Sequence, residues 1–378
     1  MSLPRRTTIL IVGAGPAGMA AAMSLKHQGI NDFVVVDAIR VPGGEASRAV
    51  VIQAATLEAL NNVGCLDGIL PMGNKVERLS LHDDSSYLLS ADFSLLSNDT
   101  KFPAKYVIGA DGAHSVIRSE AGISFQDPDG NETHEYGNLT QMVFADVTFN
   151  KPLEICTPTR KVSLTISGGN MLLLAPLPAS SFPDSPKTVY RISSSVPVEF
   201  GTAPPSPPAD YFDSLIAHHG PPELAQVKRT PIIDNVLASS RYRTRSAIAE
   251  RYFTRHPDGG GGMILLIGDS AHIHSPFAGQ GMSLGIRDAI SLGPVLRAHM
   301  DSPDGTTSDE LFEQWSVTRY ARARTVVALT KRGLGIMNIQ RLMWAPLLNV
   351  LFAIIRFFGR LKFVQRQVAY RLSGLAEI

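Results

Sequence analysis

The sequence predicts an α/β protein: a helix-flanked parallel sheet, a β-rich second domain and a helical C-terminus. Three observations predict it. An apolar β-rich run at 7–12 meets the turn GAGPAG at 13–18, and a helix-forming stretch follows. A second apolar run at 265–267 meets a similar turn at Gly268-Asp269, also followed by a helical stretch. Between them, short apolar runs separated by Gly- and Pro-rich turns read as antiparallel strands.

Taken in order, residues 7–12 form a strand and 19–28 a helix with Ala and Leu on its packing face, ended by Gly29. Residues 33–36 form a buried strand ending at Asp37, which completes a βαβ unit. A helix at 56–63 closes at Gly64, and 76–81 and 87–93 read as two strands around a turn at 83–86. A short strand at 106–108 leads into GADG. Runs at 142–149, 161–166, 171–175 and 188–193 build the antiparallel sheet. PPSPP at 204–208 is a loop, 211–218 a helix, and a glycine turn at 259–262 precedes a strand at 263–267. From Met282 onward the chain reads as mostly helical. The expected division is a discontinuous first domain (1–74, 104–125, 260–330), a second domain (75–103, 126–259) and a C-terminal helical, amphipathic segment (331–378).

Composition excludes several classes. Of 378 residues 44% are hydrophobic and 18% charged, as in a soluble globular protein. A net charge of +1 gives no global field to select nucleic acid. Cys65 and Cys156 fit no metal spacing and read as reduced core residues of a cytoplasmic protein. Arg5, Arg6 and an apolar run at 9–23 mimic a secretory signal, but Gly13, Gly15, Pro16 and Gly18 would break its helix. Charge is unevenly spread: eleven Lys and Arg lie between Arg319 and Arg371 with no acidic residue among them. A basic tail on an acidic body suggests an anionic surface, with lipid headgroups as the partner. The uncharged stretch between Arg341 and Arg356 is too short to span a bilayer, which needs about 20 residues. It reads either as a helix packed on the first domain or as an interfacial helix with Trp344, Leu347, Leu348, Leu351, Phe352 and Phe357 in lipid.

In GAGPAG, Gly13 permits a tight turn, Gly15 lets backbone approach a pyrophosphate, and Gly18, beside Ala17, lets the helix pack on the strand. The helix start supplies free N–H groups for the phosphates. Asp37, 19 residues past Gly18, suits an adenosine ribose. The second motif, KYVIGADGAHSVIR at 105–118, places Asp111, Gly112 and Arg118 at a strand-to-helix turn, where Asp111 can cap the helix. In the third, LLIGDSAHIHSPFAGQGMSLGIRDA at 265–289, Asp269 suits the hydroxyls of a ribityl chain. Pro276, Gly279, Gly281 and Met282 shape a helix start suited to the electron-rich edge of an isoalloxazine. The dinucleotide is therefore FAD.

With these motifs in this order, the chain resembles the group A flavoprotein monooxygenases, typified by para-hydroxybenzoate and phenol hydroxylases. SRAVVIQAATLEAL also resembles the family segment in which Arg48 would face the FAD. The resemblance implies a Rossmann-like FAD domain with an antiparallel substrate domain. It implies NADPH or NADH as co-substrate and hydroxylation of a small aromatic molecule through a flavin C4a-hydroperoxide. It names no catalytic base. Tyr190, Tyr211, His272 and His274 are candidates, each also readable as structural. Ala55 and Ser283 depart from the pattern mildly, where many relatives carry Arg and Asn. A larger departure follows the 76–93 hairpin: about 60 residues of the family's return to the sheet are lacking. The link at 94–104 can reach roughly 35 Å, so the hairpin still connects, but it replaces none of the lost strands and helix; the chain is either a truncated monooxygenase or a natural variant that compensates elsewhere. Alternative readings are a flavin-binding but catalytically impaired protein, or a same-fold epoxidase, reductase or halogenase. Trp315 and Trp344 stand alone, outside any halogenase signature.

Overall fold

A computed structural model describes residues 6–38, 52–72, 78–83, 104–130, 141–151, 161–221, 232–255, 262–275, 279–302 and 309–342, with single residues 153, 224 and 363. The first sheet has five strands. Its centre is β1 (Thr7–Val12), parallel to β2 (Phe33–Val36) on one side and to β4 (Ala104–Gly109) on the other. Beyond β4 lies β13 (Met263–Leu266), also parallel, and then β12 (Phe253–Arg255), antiparallel. The apolar runs of β1, β4 and β13 thus sit where both faces are covered, whereas β2, expected as a buried strand, is only half-buried at the edge of the sheet. Ile9, Ile11, Tyr106, Ile108, Leu265 and Leu266 are fully buried.

Helix α1 (Pro16–His27) starts with Pro in its first turn and presents Ala20, Ala21, Ser24 and Leu25 to the core. Helices α2 (Ala54–Asn62) and α3 (Leu66–Ile69) follow, and α4 (Val116–Glu120) comes after β4.

The second sheet has six strands: β3 (Arg78–Asp83), β6 (Gln141–Phe149), β7 (Lys161–Ser167), β8 (Asn170–Pro176), β9 (Val189–Ser195) and β10 (Ile233–Arg243), in the order β10-β6-β9-β8-β7-β3. Alternation sorts its faces. Val143, Ala145, Val147, Leu172, Leu174, Tyr190 and Ile192 pack against α5 (Ala209–His219) in a separate core.

Three findings depart from the sequence reading. Strand β3 pairs with β7 in parallel, and the second hairpin strand expected at 87–93 lies outside the described residues. The longest strand, β10, was not expected: IDNVLASSRYR is largely polar, and two register shifts interrupt its pairing. Residues 247–255, grouped by sequence with the second domain, pair instead with the first. Strand β12 extends the parallel sheet, and β11 (Ala247–Ala249) bridges β5 (Phe125–Gln126) and β14 (His272–Ile273). These runs are too short to signal themselves as strands.

Two long helices follow, α6 (Gly281–Asp301) and α7 (Asp309–Leu342). One stripe of α7, carrying Phe312, Trp315, Ala323, Val326 and Val327, joins the first core at helical spacing.

Candidate cofactor site

The two glycine turns meet. Gly13 adopts φ +107, and a Cβ there would lie 2.2 Å from the Ala110 carbonyl oxygen. A Cβ on Gly18 would lie 1.8 Å from the Gly13 oxygen. Backbone therefore occupies the space that any side chain would need. On the other motif, Gly268 adopts φ +61, and its Cβ would touch that of Ala17 at 2.9 Å. Gly285, one turn into α6, would meet the Gly268 Cα at 2.9 Å. Helices α1 and α6 cross closely below this junction, where Ser24 Oγ donates to the Ile290 carbonyl at 2.8 Å.

Helix α1 has no side-chain cap and no acidic residue in its first turn. Its first amides keep their capacity to donate to a phosphate. Asp37 closes the turn from the end of β2, its carboxylate accepting from the Ala14 N–H at 2.6 Å.

Asp111 faces the helix rather than the cleft. Its carboxylate accepts from the Val116 and Ile117 amides at 2.8 and 3.1 Å and from Ser115 Oγ at 2.6 Å, while Ser115 caps Arg118. Arg118 is buried and committed. It donates to the Ser270 carbonyl at 2.9 Å and the Ala113 carbonyl at 3.0 Å, and its guanidinium stacks 3.8 Å from the Phe125 ring centre. Arg118 therefore ties the second motif to the third. Gly112 takes a positive φ in that turn.

Fully or nearly buried polar atoms gather at the start of α6. Gln280 has neither amide atom paired, and His274 Nε2, Ser275 Oγ and Gln53 Oε1 likewise lack a partner among the described residues. Unpaired buried polar atoms each cost about 1–3 kcal/mol, so a concentration of them marks a place where a polar ligand belongs. His274 Nδ1 lies 2.8 Å from the Ser275 carbonyl, which can only accept. The proton is thus on Nδ1 and Nε2 is an acceptor. Burial lowers the pKa of this imidazole to about 4. Helix α2 is pinned here too, with the Gln53 N–H donating to Ser283 Oγ at 3.4 Å and Thr56 Oγ1 to the Ser283 carbonyl at 3.3 Å. Gly279 (φ +58) and half-buried Met282 flank the helix start. The residues present fit FAD: a helix start for the pyrophosphate, carboxylates at Asp37 and Asp269, and unpaired donors and acceptors for the ring.

Arg48 and Pro276 lie outside the described residues. Tyr190 and Tyr211 do not reach the site; both pack in the core between the second sheet and α5. His272 is held by Asp288, a residue the sequence reading did not single out. Of the basic run, Arg319 pairs with Asp288, Lys331 with Asp127 and Asp129, and Arg324 approaches Asp129 at 3.9 Å. These three face the protein's own acidic residues. Residue 363 apart, the remaining tail beyond 342 lies outside the described residues, and no helix among those residues is long and apolar enough to cross a membrane. No cluster suited to a metal ion occurs among them either.

The sequence matches the FAD binding domain family in two stretches, 6–86 and 82–330. It is similar to an uncharacterized aromatic compound monooxygenase of Bacillus subtilis, 25% identical over 85% of this chain and 67% of that one. It is equally similar to a dialkyldecalin synthase of Streptomyces rugosporus, 25% identical over 88% and 73%. Among solved structures, an anhydrotetracycline hydroxylase from Streptomyces rimosus shares the fold. Its TM-score is 0.64 at 20% identity, over 98% of this chain and 76% of that one. The chain spans 59% to 73% of the curated relatives it matches.

Proposed function

Because the chain belongs to the FAD binding domain family, we propose that it is an FAD-dependent monooxygenase acting on a small aromatic or phenolic molecule with NAD(P)H and O2. The observation that carries this reading is the junction of Ala17, Gly268 and Gly285, which brings both glycine turns and both helix starts to one place. The names of the relatives support the reaction class. FAD, held by the α1 and α6 starts, would supply the two-electron chemistry that couples NAD(P)H oxidation to the insertion of one O2 oxygen into the ring, with the other released as water.

The protein's own work is binding and exclusion. The α1 amides hold the pyrophosphate, Asp37 a ribose, and Asp269 the ribityl chain. The start of α6, with no acidic residue in its first turn, stabilises negative charge on the reduced ring. The substrate lies against the sheet face turned away from α5. There Leu164, Met171 and Leu173 are buried beside the bidentate pair Arg191–Asp146, with both bonds at 2.6 Å. That apolar face keeps water from the reacting centre.

A second reading is favoured by a specific observation: β2, FVVV, is the last strand of its sheet among the described residues and only half-buried. The family match is likewise made in two stretches, which overlap at 82–86, rather than in one, and together these support a chain lacking an internal block, which binds flavin but turns over poorly. The tail beyond 342 makes peripheral contact with anionic lipid, tested by liposome flotation against a chain ending before Met337; equal flotation would rule it out.

The deciding experiment is a visible spectrum of the purified protein, then NADH and NADPH oxidation with phenols and an oxygen electrode. Bound flavin with phenol-stimulated oxidation and hydroxylated product is expected. Bound flavin with no stimulation supports the impaired chain. A colourless product, still colourless after refolding with excess FAD, overturns the cofactor itself.

A further inference from the structure

The Gly268–Asp269 turn is bolted to its surroundings by side chains of neighbouring elements. Ser270 Oγ donates to the Gly109 carbonyl at 2.6 Å, and Arg118 reaches the Ser270 carbonyl. A third bolt reaches the C-terminal helix. Asp288, on the second turn of α6, is fully buried. Its Oδ2 accepts from the Gly268 N–H at 3.2 Å and from His272 Nε2 at 2.5 Å, and its Oδ1 accepts from Arg319 Nε of α7 at 2.6 Å. One carboxylate thus holds the turn, the residue two beyond Ser270, and α7 together.

Chemistry makes this a clamp rather than filler. A lone buried carboxylate would be neutralised, because burial favours its protonated form. Here Arg319 and His272 outweigh burial and hold Asp288 below the usual carboxylate range. Aromatic rings wall the cluster from water: Tyr252 lies 6.0 Å from the His272 ring and 6.2 Å from both Trp315 and Tyr320.

We infer that Asp288 is a positioning residue for the cofactor turn and that Arg319 makes FAD affinity depend on the docking of α7. The inference rests on the FAD reading, yet its geometry can be tested without FAD. Without the Arg319 charge, the carboxylate rotates or protonates, the Gly268 amide loses its acceptor, and Asp269 is presented loosely.

The test compares the parent chain with Arg319→Met, Arg319→Lys, Asp288→Asn and, as a control on the same helix, Arg324→Met. Arg324 is exposed and touches neither the turn nor α6. The first readout is hydrogen–deuterium exchange of the peptide covering 265–275 in FAD-free protein of unchanged far-UV circular dichroism. Exchange rises in Arg319→Met, less in Arg319→Lys, and stays at the parent level in Arg324→Met. The second readout is FAD titration by flavin fluorescence: the dissociation constant rises about tenfold or more in Arg319→Met, with partial rescue in Arg319→Lys. If Asp288→Asn folds, combining it with Arg319→Met adds little, because the two act through one contact. Unchanged exchange in Arg319→Met overturns the clamp, and so does an FAD affinity within twofold of the parent. A parent that binds no FAD but shows the exchange pattern keeps the clamp and overturns the FAD reading.

Discussion

His219 and His274 are both held neutral, for the same physical reason in different places. His219 lies under the second sheet, its Nε2 2.9 Å from Ser194 Oγ and its Nδ1 3.2 Å from His218, which itself pairs with Glu199. Burial, aided by His218, lowers its pKa to about 3, and burial lowers that of His274 to about 4. Both values lie below the unfolded 6.5, so the unfolded chain binds the extra protons as pH falls. Stability is therefore complete above pH 6.5 and is lost as pH drops toward about 4. The slope reaches at most about 1.4 kcal/mol per pH unit for each histidine. Urea titrations between pH 7.5 and 4.5 should show that fall, and His219→Gln should flatten it; an equal slope in the variant would assign the effect elsewhere. At this scale the sequence was half legible. It flagged His272, His274, Tyr190 and Tyr211 alike, because residue type alone does not say which face of a strand or helix is turned inward. Register and packing sent the tyrosines to the α5 core and the histidines to the cofactor turn. Asp288 had no signal of its own: in GIRDA it reads as an ordinary helical charge.

Among the elements, those whose pattern is local were legible. Strand β1, the GAGPAG turn and α1 stood out because an apolar run, close-approach glycines and a helix start follow one another. Strands β6 to β9 stood out by apolar runs between Gly and Pro turns. Strand β10 and the three-residue strands did not: β10 is largely polar and pairs with β6 some 84 to 102 positions earlier, and β11 and β12 are too short to carry a pattern of their own. The turn between β1 and α1 also gives the sharpest single-residue prediction. A methyl at position 18 would overlap the Gly13 carbonyl, and backbone on both sides leaves neither α1 nor the turn free to yield. Gly18→Ala should lower the melting temperature and abolish flavin retention on gel filtration, whereas Gly68→Ala, in α3 with open space around it, should change neither. Retained flavin in Gly18→Ala would mean that α1 can shift without cost to the phosphate site.

For the whole molecule, the question is what the chain does with the outer edge of its first sheet. Strand β2 carries four apolar residues, and among the described residues nothing pairs with its outer side. An apolar edge with free backbone N–H and C=O groups is a template for another strand, and natural sheets guard such edges with charge, proline or a cover. FVVV itself carries neither charge nor proline; the nearest charges, Asp32 and Asp37, are engaged with β1 and with the glycine turn. Phe33 and Val35 pack toward the first core, which leaves Val34 free to be replaced without opening that core. The protein should therefore associate as its concentration rises, and Val34→Lys should reduce the light scattering and raise the monomer fraction while leaving flavin binding intact. If instead the parent stays monomeric and yellow at high concentration, the edge is covered by part of the chain outside the described residues. The idea of a lost block would then give way to one of a natural variant that compensates elsewhere. The same measurement bears on function, because the edge strand carries Asp37 at its end. An association that bends β2 moves the Asp37 carboxylate and the glycine turn it holds, so flavin occupancy should fall in parallel with self-association and recover in Val34→Lys.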